Sequence, residues 1–132
     1  MKALTHLLQA IGVQFKDTNI QIEEIVFDSR TAKENCLFIA LEGLTNDGHA
    51  YLSQVYDQGC RIAIVQRKTS VPADFIQIEV ADTRKALSLL ACEWYGNPSR
   101  ELTLVGITGT NGKTTCATLL YHLFMRLGYH VG

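Results

Sequence analysis

The sequence lacks several patterns that mark whole classes of proteins. Its 4 cysteines, Cys36, Cys60, Cys92 and Cys116, form no C-x-x-C pair and have no histidines at metal-ligand spacing, which argues for reduced thiols rather than a zinc site or disulfide scaffold. No apolar run approaches the roughly 18 residues of a membrane span, and the N-terminus carries no export signal. The formal net charge of -1 gives no bias toward nucleic acid or anionic membranes. We therefore expect a cytoplasmic protein without a nucleic-acid or membrane partner.

The sequence is nevertheless rich in material for a packed interior. Of its 132 residues, 47% are hydrophobic. A chain of this length can build one good core, or one domain together with part of a second. The order of helical and strand-like patterns along the sequence favours the second arrangement.

Helical and strand-like patterns alternate along residues 1–98. Helical spacing occurs at residues 4–11, 50–56 and 82–94, and apolar strand-like runs occur at 20–22, 25–27, 37–41, 62–65 and 75–80. Asp82 is a good N-cap for the third helix. The alternation predicts an α/β domain with a mixed, substantially parallel sheet. The Gly-Asn-Pro-Ser cluster at 96–99 breaks a helix, so it predicts the domain boundary near residue 98.

A glycine-rich loop follows an apolar run near the C-terminus. Residues 106–115 read Gly-Ile-Thr-Gly-Thr-Asn-Gly-Lys-Thr-Thr, between a strand-like run at 102–105 and a helical pattern. In such a loop the glycines let backbone N–H groups approach a polyphosphate, and Lys113 adds a positive charge. The generic pattern G-x-x-x-x-G-K-[ST] requires glycine where this chain has Ile107. The other positions and their context still predict a phosphate-binding loop rather than an ordinary solvated turn.

The residues after the boundary predict only the beginning of a second domain. They supply one strand, the loop and one helix, whose apolar residues share one side. These apolar residues are Leu119, Leu120, Leu123, Phe124 and Leu127. One such unit cannot cover a sheet by itself, so we expect residues 99–132 to be an incomplete α/β domain.

Three segments together resemble the Mur ligase family. They are Asp28-Ser29-Arg30, the run 37–43 followed by Asp47-Gly48-His49, and the connector 95–99 that leads into residues 109–115. Their order and spacing are similar to the N-terminal part of a Mur ligase, most of all to the UDP-N-acetylmuramoyl-tripeptide synthetase type. In this family it is ordinary that the first glycine of the generic motif is displaced by one place from position 107. The departure from the generic motif therefore supports the specific resemblance.

The resemblance implies two ligand sites. Residues 1–98 would hold the uridine-diphosphate end of a UDP-N-acetylmuramoyl-dipeptide, and residues 99–132 would begin the central domain that binds ATP with Mg²⁺. The implied UDP-sugar contacts are Phe27, Ser29, Leu44, Thr45 and Asn46. Some members have His-Gln-Ala at the last three positions, so only backbone contacts carry over there. From the residues alone, Asp28-Ser29-Arg30 is also consistent with a polar turn that caps a strand.

The implied nucleotide site is the glycine-rich loop itself. Lys113 would be the catalytic residue that neutralises the β- and γ-phosphates, and Thr114 would bind Mg²⁺ through its hydroxyl. The full set of implied nucleotide-binding residues is Gly109, Thr110, Asn111, Gly112, Lys113, Thr114 and Thr115.

The reaction implied by the resemblance is ATP-driven amide-bond formation between the substrate carboxylate and an incoming amino acid, in a monomeric enzyme. The family's further magnesium ligand, its modified lysine and its C-terminal domain would lie beyond Gly132, so we expect no ligase activity from this chain alone. Two alternatives stay open: a Mur ligase that adds the terminal dipeptide, and a non-catalytic nucleotide-binding module. The first typically has Ser where this chain has Thr110, and the connector 95–99 is more typical of the tripeptide synthetase type.

Overall fold

The computed structural model describes residues 1–16, 19–43 and 46–132. They form two compact units, Met1–Pro98 and Ser99–Gly132. In the described ranges all strands belong to the first unit, and no helix is both long and apolar enough to cross a bilayer.

The first unit contains two sheets. Two short strands, β1 (Lys2–Ala3) and β2 (Gln21–Ile22), pair antiparallel. The main sheet is parallel and consists of β3 (Glu24–Val26), β4 (Cys36–Ile39), β5 (Ile62–Val65) and β6 (Ile76–Glu79), side by side in that order. The α/β class is confirmed, and the parallel and antiparallel pairings are divided between the two sheets.

Three α-helices accompany these strands: α1 (Leu4–Ala10), α2 (Leu52–Asp57) and α3 (Thr83–Trp94). Short 3₁₀ turns occupy Ser29–Thr31, Gly48–Tyr51 and Pro98–Arg100. Asp82 caps α3 as predicted, because its Oδ1 accepts the backbone N–H groups of Arg84 at 2.8 Å and Lys85 at 3.0 Å.

The two inner strands, β4 and β5, are buried along their whole length, which explains why they are apolar without alternation. The edge strand β6 alternates apolar and polar residues. On one face, side chains of the sheet pack against α1 and α3; this cluster includes Leu37, Ile39, Ile62, Ile64, Ile78 and Leu90. On the other face, the next residues along each strand pack against α2; this cluster includes Phe38, Ala63, Val65, Leu52 and Val55. The first unit therefore has three layers, with the sheet in the middle.

The second unit differs from the prediction before its helix. Residues 102–105 form no strand, and Leu104 is 76% exposed. A strand requires a hydrogen-bonded neighbour, and no described segment pairs with these residues. The predicted helix is present as α4 (Lys113–Arg126), but Leu119, Leu123 and Leu127 are exposed rather than buried.

Candidate functional site

The glycine-rich loop of the second unit turns directly into α4. Gly112 is the residue before the helix, and its φ of 79° lies in the left-handed region that glycine adopts at little cost. The first backbone bond of the helix runs from Cys116 N–H to the Gly112 carbonyl at 2.9 Å. No side chain caps this helix end among the residues that the structure describes. The N–H groups of the first turn therefore point out of the helix start, as an anion site requires.

Lys113 lies back over the loop. Its ammonium Nζ donates to the Gly109 carbonyl oxygen at 2.5 Å and approaches that of Thr110 at 3.4 Å. Both partners are neutral backbone groups on an exposed loop. The positive charge is thus held beside the helix start, and no carboxylate among the described residues forms an ion pair with it.

Thr114 and Thr115, in the first turn of α4, have exposed side chains. The Thr114 carbonyl accepts a bond from the Thr118 hydroxyl at 2.9 Å, so the known contact of Thr114 is made by its backbone. A hydroxyl oxygen is a hard ligand of the kind Mg²⁺ accepts while it keeps several waters. The residues present therefore fit a polyphosphate with its metal ion.

A second set of predicted residues follows β3 in the first unit. Phe27 is 61% exposed. The carboxylate of Asp28 binds the guanidinium of Arg30, whose Nη2 donates to Oδ2 at 2.6 Å, and it also accepts the Arg30 backbone N–H at 3.0 Å. Asp28 and Arg30 thus form a polar turn, which is the alternative that the residues alone left open. Ser29 lies half-buried between them.

The Arg30 contact lowers the pKa of Asp28 from 3.8 to about 2, through its side-chain bonds first and its backbone N–H second. Because the folded pKa is depressed, the stabilisation is present above the ordinary value of 3.8 and is lost as the pH falls toward 2. In an NMR titration of the side-chain carboxyl carbon, we expect Arg30→Ala to raise this pKa toward 3.8. Arg67→Ala, which removes an arginine that Asp28 does not contact, should leave it unchanged. A pKa that stays near 2 in Arg30→Ala would contradict the assigned cause.

The third predicted segment lies in the loop after β4. Glu42 and Asp47 form an antiparallel bridge, and Gly43 N–H donates to the Asn46 carbonyl at 2.8 Å. Leu44 and Thr45, between them, lie outside the described residues. Asn46 is exposed. We call the described residues of this segment, 42–43 and 46–47, the β4 loop.

The structure brings two of the predicted segments to the same edge of the sheet. Phe27 and Ser29 follow β3, and the β4 loop follows the adjacent parallel strand, whose Phe38 pairs with Val26. The carboxyl ends of parallel strands form the edge where open α/β sheets bind ligands. The predicted loop residues 109–115 belong to the second unit.

A cleft at this edge was missed by sequence reasoning. Its volume is about 420 Å³, and it is lined by Glu42, Gly43, Gln66, Ala81, Asp82 and Arg84. The guanidinium of Arg84 donates to the Glu42 carbonyl at 3.0 Å, which joins α3 to the β4 loop. The sequence could have indicated the cleft only through the position of these residues. They follow predicted strands, and ligands bind at the carboxyl ends of such strands.

Comparison with known proteins shows the family. Residues 21–95 match the model described as Mur ligase family, catalytic domain. A UDP-N-acetylmuramoyl-L-alanyl-D-glutamate--2,6-diaminopimelate ligase of Clostridium botulinum is 38% identical over 98% of this chain and 28% of the relative. The corresponding L-lysine ligase of Staphylococcus epidermidis is 46% identical over 83% of this chain and 22% of the relative. The chain thus spans about a quarter of the length of these curated relatives.

Solved structures agree with the fold. A UDP-N-acetylmuramoylalanyl-D-glutamyl-2,6-diaminopimelate--D-alanyl-D-alanyl ligase from Acinetobacter baumannii matches 95% of this chain and 28% of its own, with 34% identity and a TM-score of 0.60. A MurF ligase from Thermotoga maritima in complex with ADP matches 85% of this chain and 25% of its own, with 31% identity and a TM-score of 0.52. Since the family model matches more than half of the 132 residues, the chain belongs to the Mur ligase family.

Proposed function

We propose that this chain is the N-terminal part of an ATP-dependent ligase that adds the third amino acid to UDP-N-acetylmuramoyl-L-alanyl-D-glutamate in peptidoglycan synthesis. The observation that carries the proposal is the family match over residues 21–95, which contains both segments that meet at the carboxyl edge of the sheet. The first unit would hold the UDP end of the substrate, and the second would begin the ATP site.

The arrangement of the first unit supports a UDP-sugar site. Phe27 presents an exposed aromatic ring, which suits stacking on a base. The exposed Asn46 and the backbone of the β4 loop lie on the neighbouring strand end, where they could bind the ribose or the phosphates. The hydroxyl of Ser29, between the paired Asp28 and Arg30, could donate to the uridine.

The second unit supports ATP as the cofactor, as does the ADP bound by the Thermotoga maritima relative. Bound ATP would supply the phosphoryl group that activates the substrate carboxylate. The backbone N–H groups from Gly109 to Gly112 and the first turn of α4 would face the phosphates. Lys113 would exchange its carbonyl partners for β- and γ-phosphate oxygens, and Thr114 would hold Mg²⁺. These residues place positive charge where negative charge accumulates during transfer.

The type of ligase is supported by the curated relatives. The Clostridium botulinum and Staphylococcus epidermidis relatives act on UDP-N-acetylmuramoyl-L-alanyl-D-glutamate, and they are 38% and 46% identical to this chain. The dipeptide-adding Acinetobacter baumannii structure is 34% identical and is the basis for the alternative activity. The names of these relatives give 2,6-diaminopimelate and L-lysine as the added amino acids, which supports a diamino acid as the incoming substrate.

Calorimetric titration of the chain with UDP and with Mg-ATP tests the proposal. We expect UDP to bind more tightly than Mg-ATP, because the first unit has a complete core around its site. Ser29→Ala should weaken UDP binding about tenfold, as for the loss of one well-placed hydrogen bond. Ser53→Ala removes the same hydroxyl from an exposed position on α2 and serves as the control. The absence of UDP binding, or tighter binding of Mg-ATP than of UDP, would contradict the proposal.

A further inference from the structure

We propose that Asp47 and His49 are positioning residues that fix the conformation of the β4 loop. The inference rests on the proposed function only in its last step, where the loop binds the UDP-sugar. The imidazole of His49 is almost completely buried, with 2% of its side chain exposed, although it lies beside an exposed loop. A buried polar ring requires partners on both nitrogens, and here the partners are Asp47 in the β4 loop and Gln66 directly after β5.

The two ring nitrogens of His49 have defined roles. The backbone N–H of Gln66 donates to Nε2 at 3.0 Å, so Nε2 is the unprotonated acceptor. Nδ1 therefore carries the hydrogen and donates to Asp47 Oδ1 at 2.6 Å. The imidazole thus connects the β4 loop with the first residue after β5.

Asp47 contacts both the ring and the backbone of His49. Its Oδ1 also accepts the His49 backbone N–H at 3.0 Å, and its Oδ2 accepts from Arg67. The His49 backbone bond and then its imidazole lower the pKa of Asp47, with Arg67 contributing less. Asp47 also forms a backbone bridge with Glu42, so its position determines where the two ends of the β4 loop meet.

Close packing at Gly48 leaves little freedom between Asp47 and His49. A Cβ at Gly48 would lie 2.8 Å from the Leu41 nitrogen and 3.0 Å from Ala40 backbone atoms. The Gly48 N–H donates to the Leu41 carbonyl at 2.8 Å. The backbone between the two residues is therefore pressed against the end of β4.

The hydrogen bonds that begin at Asp47 and His49 continue from Gln66 to the start of α3. The Thr83 hydroxyl, which is fully buried, donates to Gln66 Oε1 at 2.8 Å. Arg84, the next residue of α3, donates to the Glu42 carbonyl at 3.0 Å. The β4 loop is thus held at both ends, through His49 to β5 and through Arg84 to α3. The described residues at these two ends would present their backbone to a ligand without first being ordered.

Two substitutions separate the two contacts of His49. The amide of Asn reaches the position of Nδ1, so His49→Asn keeps a donor for Asp47 and loses the acceptor for Gln66. The longer amide of Gln reaches the position of Nε2, so His49→Gln provides an acceptor for Gln66. As a matched control, Gln77→Ala removes side-chain bonds of 2.8 and 2.9 Å to the Thr69 backbone, outside the β4 loop.

The test measures amide hydrogen exchange of Gly43 and Gln66 in the 132-residue chain, together with UDP titration. In His49→Asn we expect both amides to exchange about tenfold faster and UDP to bind about tenfold more weakly, with partial rescue in His49→Gln. Gln77→Ala should leave Gly43 exchange and UDP affinity within about twofold of the wild type, even where it lowers overall stability. In the wild type, ¹⁵N spectra of His49 should show the hydrogen on Nδ1.

The outcomes separate this inference from the proposed function. Unchanged Gly43 exchange in a folded His49→Asn variant would overturn the positioning role. Faster exchange with unchanged UDP affinity would overturn the last step of the inference, in which the loop fixed by His49 binds the UDP-sugar. A wild-type chain that does not bind UDP would refute the proposed substrate, and the Gly43 exchange would still decide whether His49 fixes the loop.

Discussion

Replacing Lys113 by alanine is expected to weaken Mg-ATP binding by about tenfold to a hundredfold, the range for a lost charge-assisted hydrogen bond in an exposed or partly exposed site. The ammonium group lies 2.5 Å from the Gly109 carbonyl, beside the uncapped start of α4, so its removal takes a positive charge away from the proposed phosphate site. Titration followed by the NMR shifts of the Gly109 and Gly112 amides can measure even weak binding.

The control for this prediction is Lys68→Ala, which removes the same charge from an exposed position in the first unit. It should leave the Mg-ATP titration unchanged, whereas Lys113→Arg should retain part of the affinity because the charge remains. Equal Mg-ATP affinity in Lys113→Ala and the wild type would exclude the loop as the phosphate site.

Replacing Leu90 by alanine is expected to reduce the free energy of unfolding by about 2–5 kcal/mol. The Leu90 side chain is completely buried, in the cluster that joins α1, α3 and one face of the main sheet. Its truncation removes apolar contacts and leaves a cavity that this three-layer core cannot close. Urea denaturation followed by circular dichroism measures the change.

The adjacent residue provides the control. Leu89 is on the same helix but is 40% exposed, so Leu89→Ala should cost less than about 1 kcal/mol. Similar losses for the two variants would show that α3 does not bury the face seen in the structure.

The sequence predicted the elements of the first unit well, because their signals are local. The strand Ile62–Val65 was predicted at the observed bounds, because a short continuous apolar run is typical of a buried strand in a parallel sheet. The cap at Asp82 was predicted for the same reason, as a cap depends on the next few residues. The pairing of Lys2–Ala3 with Gln21–Ile22 was missed, because strands of 2 residues carry no periodicity.

Features that depend on distant partners could not be predicted from the pattern alone. Residues 102–105 have strand-like composition, but a strand exists only where another segment pairs with it, and composition does not reveal the pair. The role of His49 was equally hidden, because its acceptor nitrogen is matched to a backbone group 17 positions away. The candidate nucleotide loop was predicted from its residues, and its chemistry remains a proposal.

The order of the main sheet has a consequence for biosynthesis. Each of the strands β4 to β6 lies beside the strand that precedes it in the chain. Each strand can therefore pair as soon as it is available, because no later strand has to insert between two earlier ones. As the polypeptide leaves the ribosome, the sheet can grow by one strand at a time, with α3 closing the face last. The first unit is therefore suited to co-translational assembly, ahead of the residues that follow Pro98.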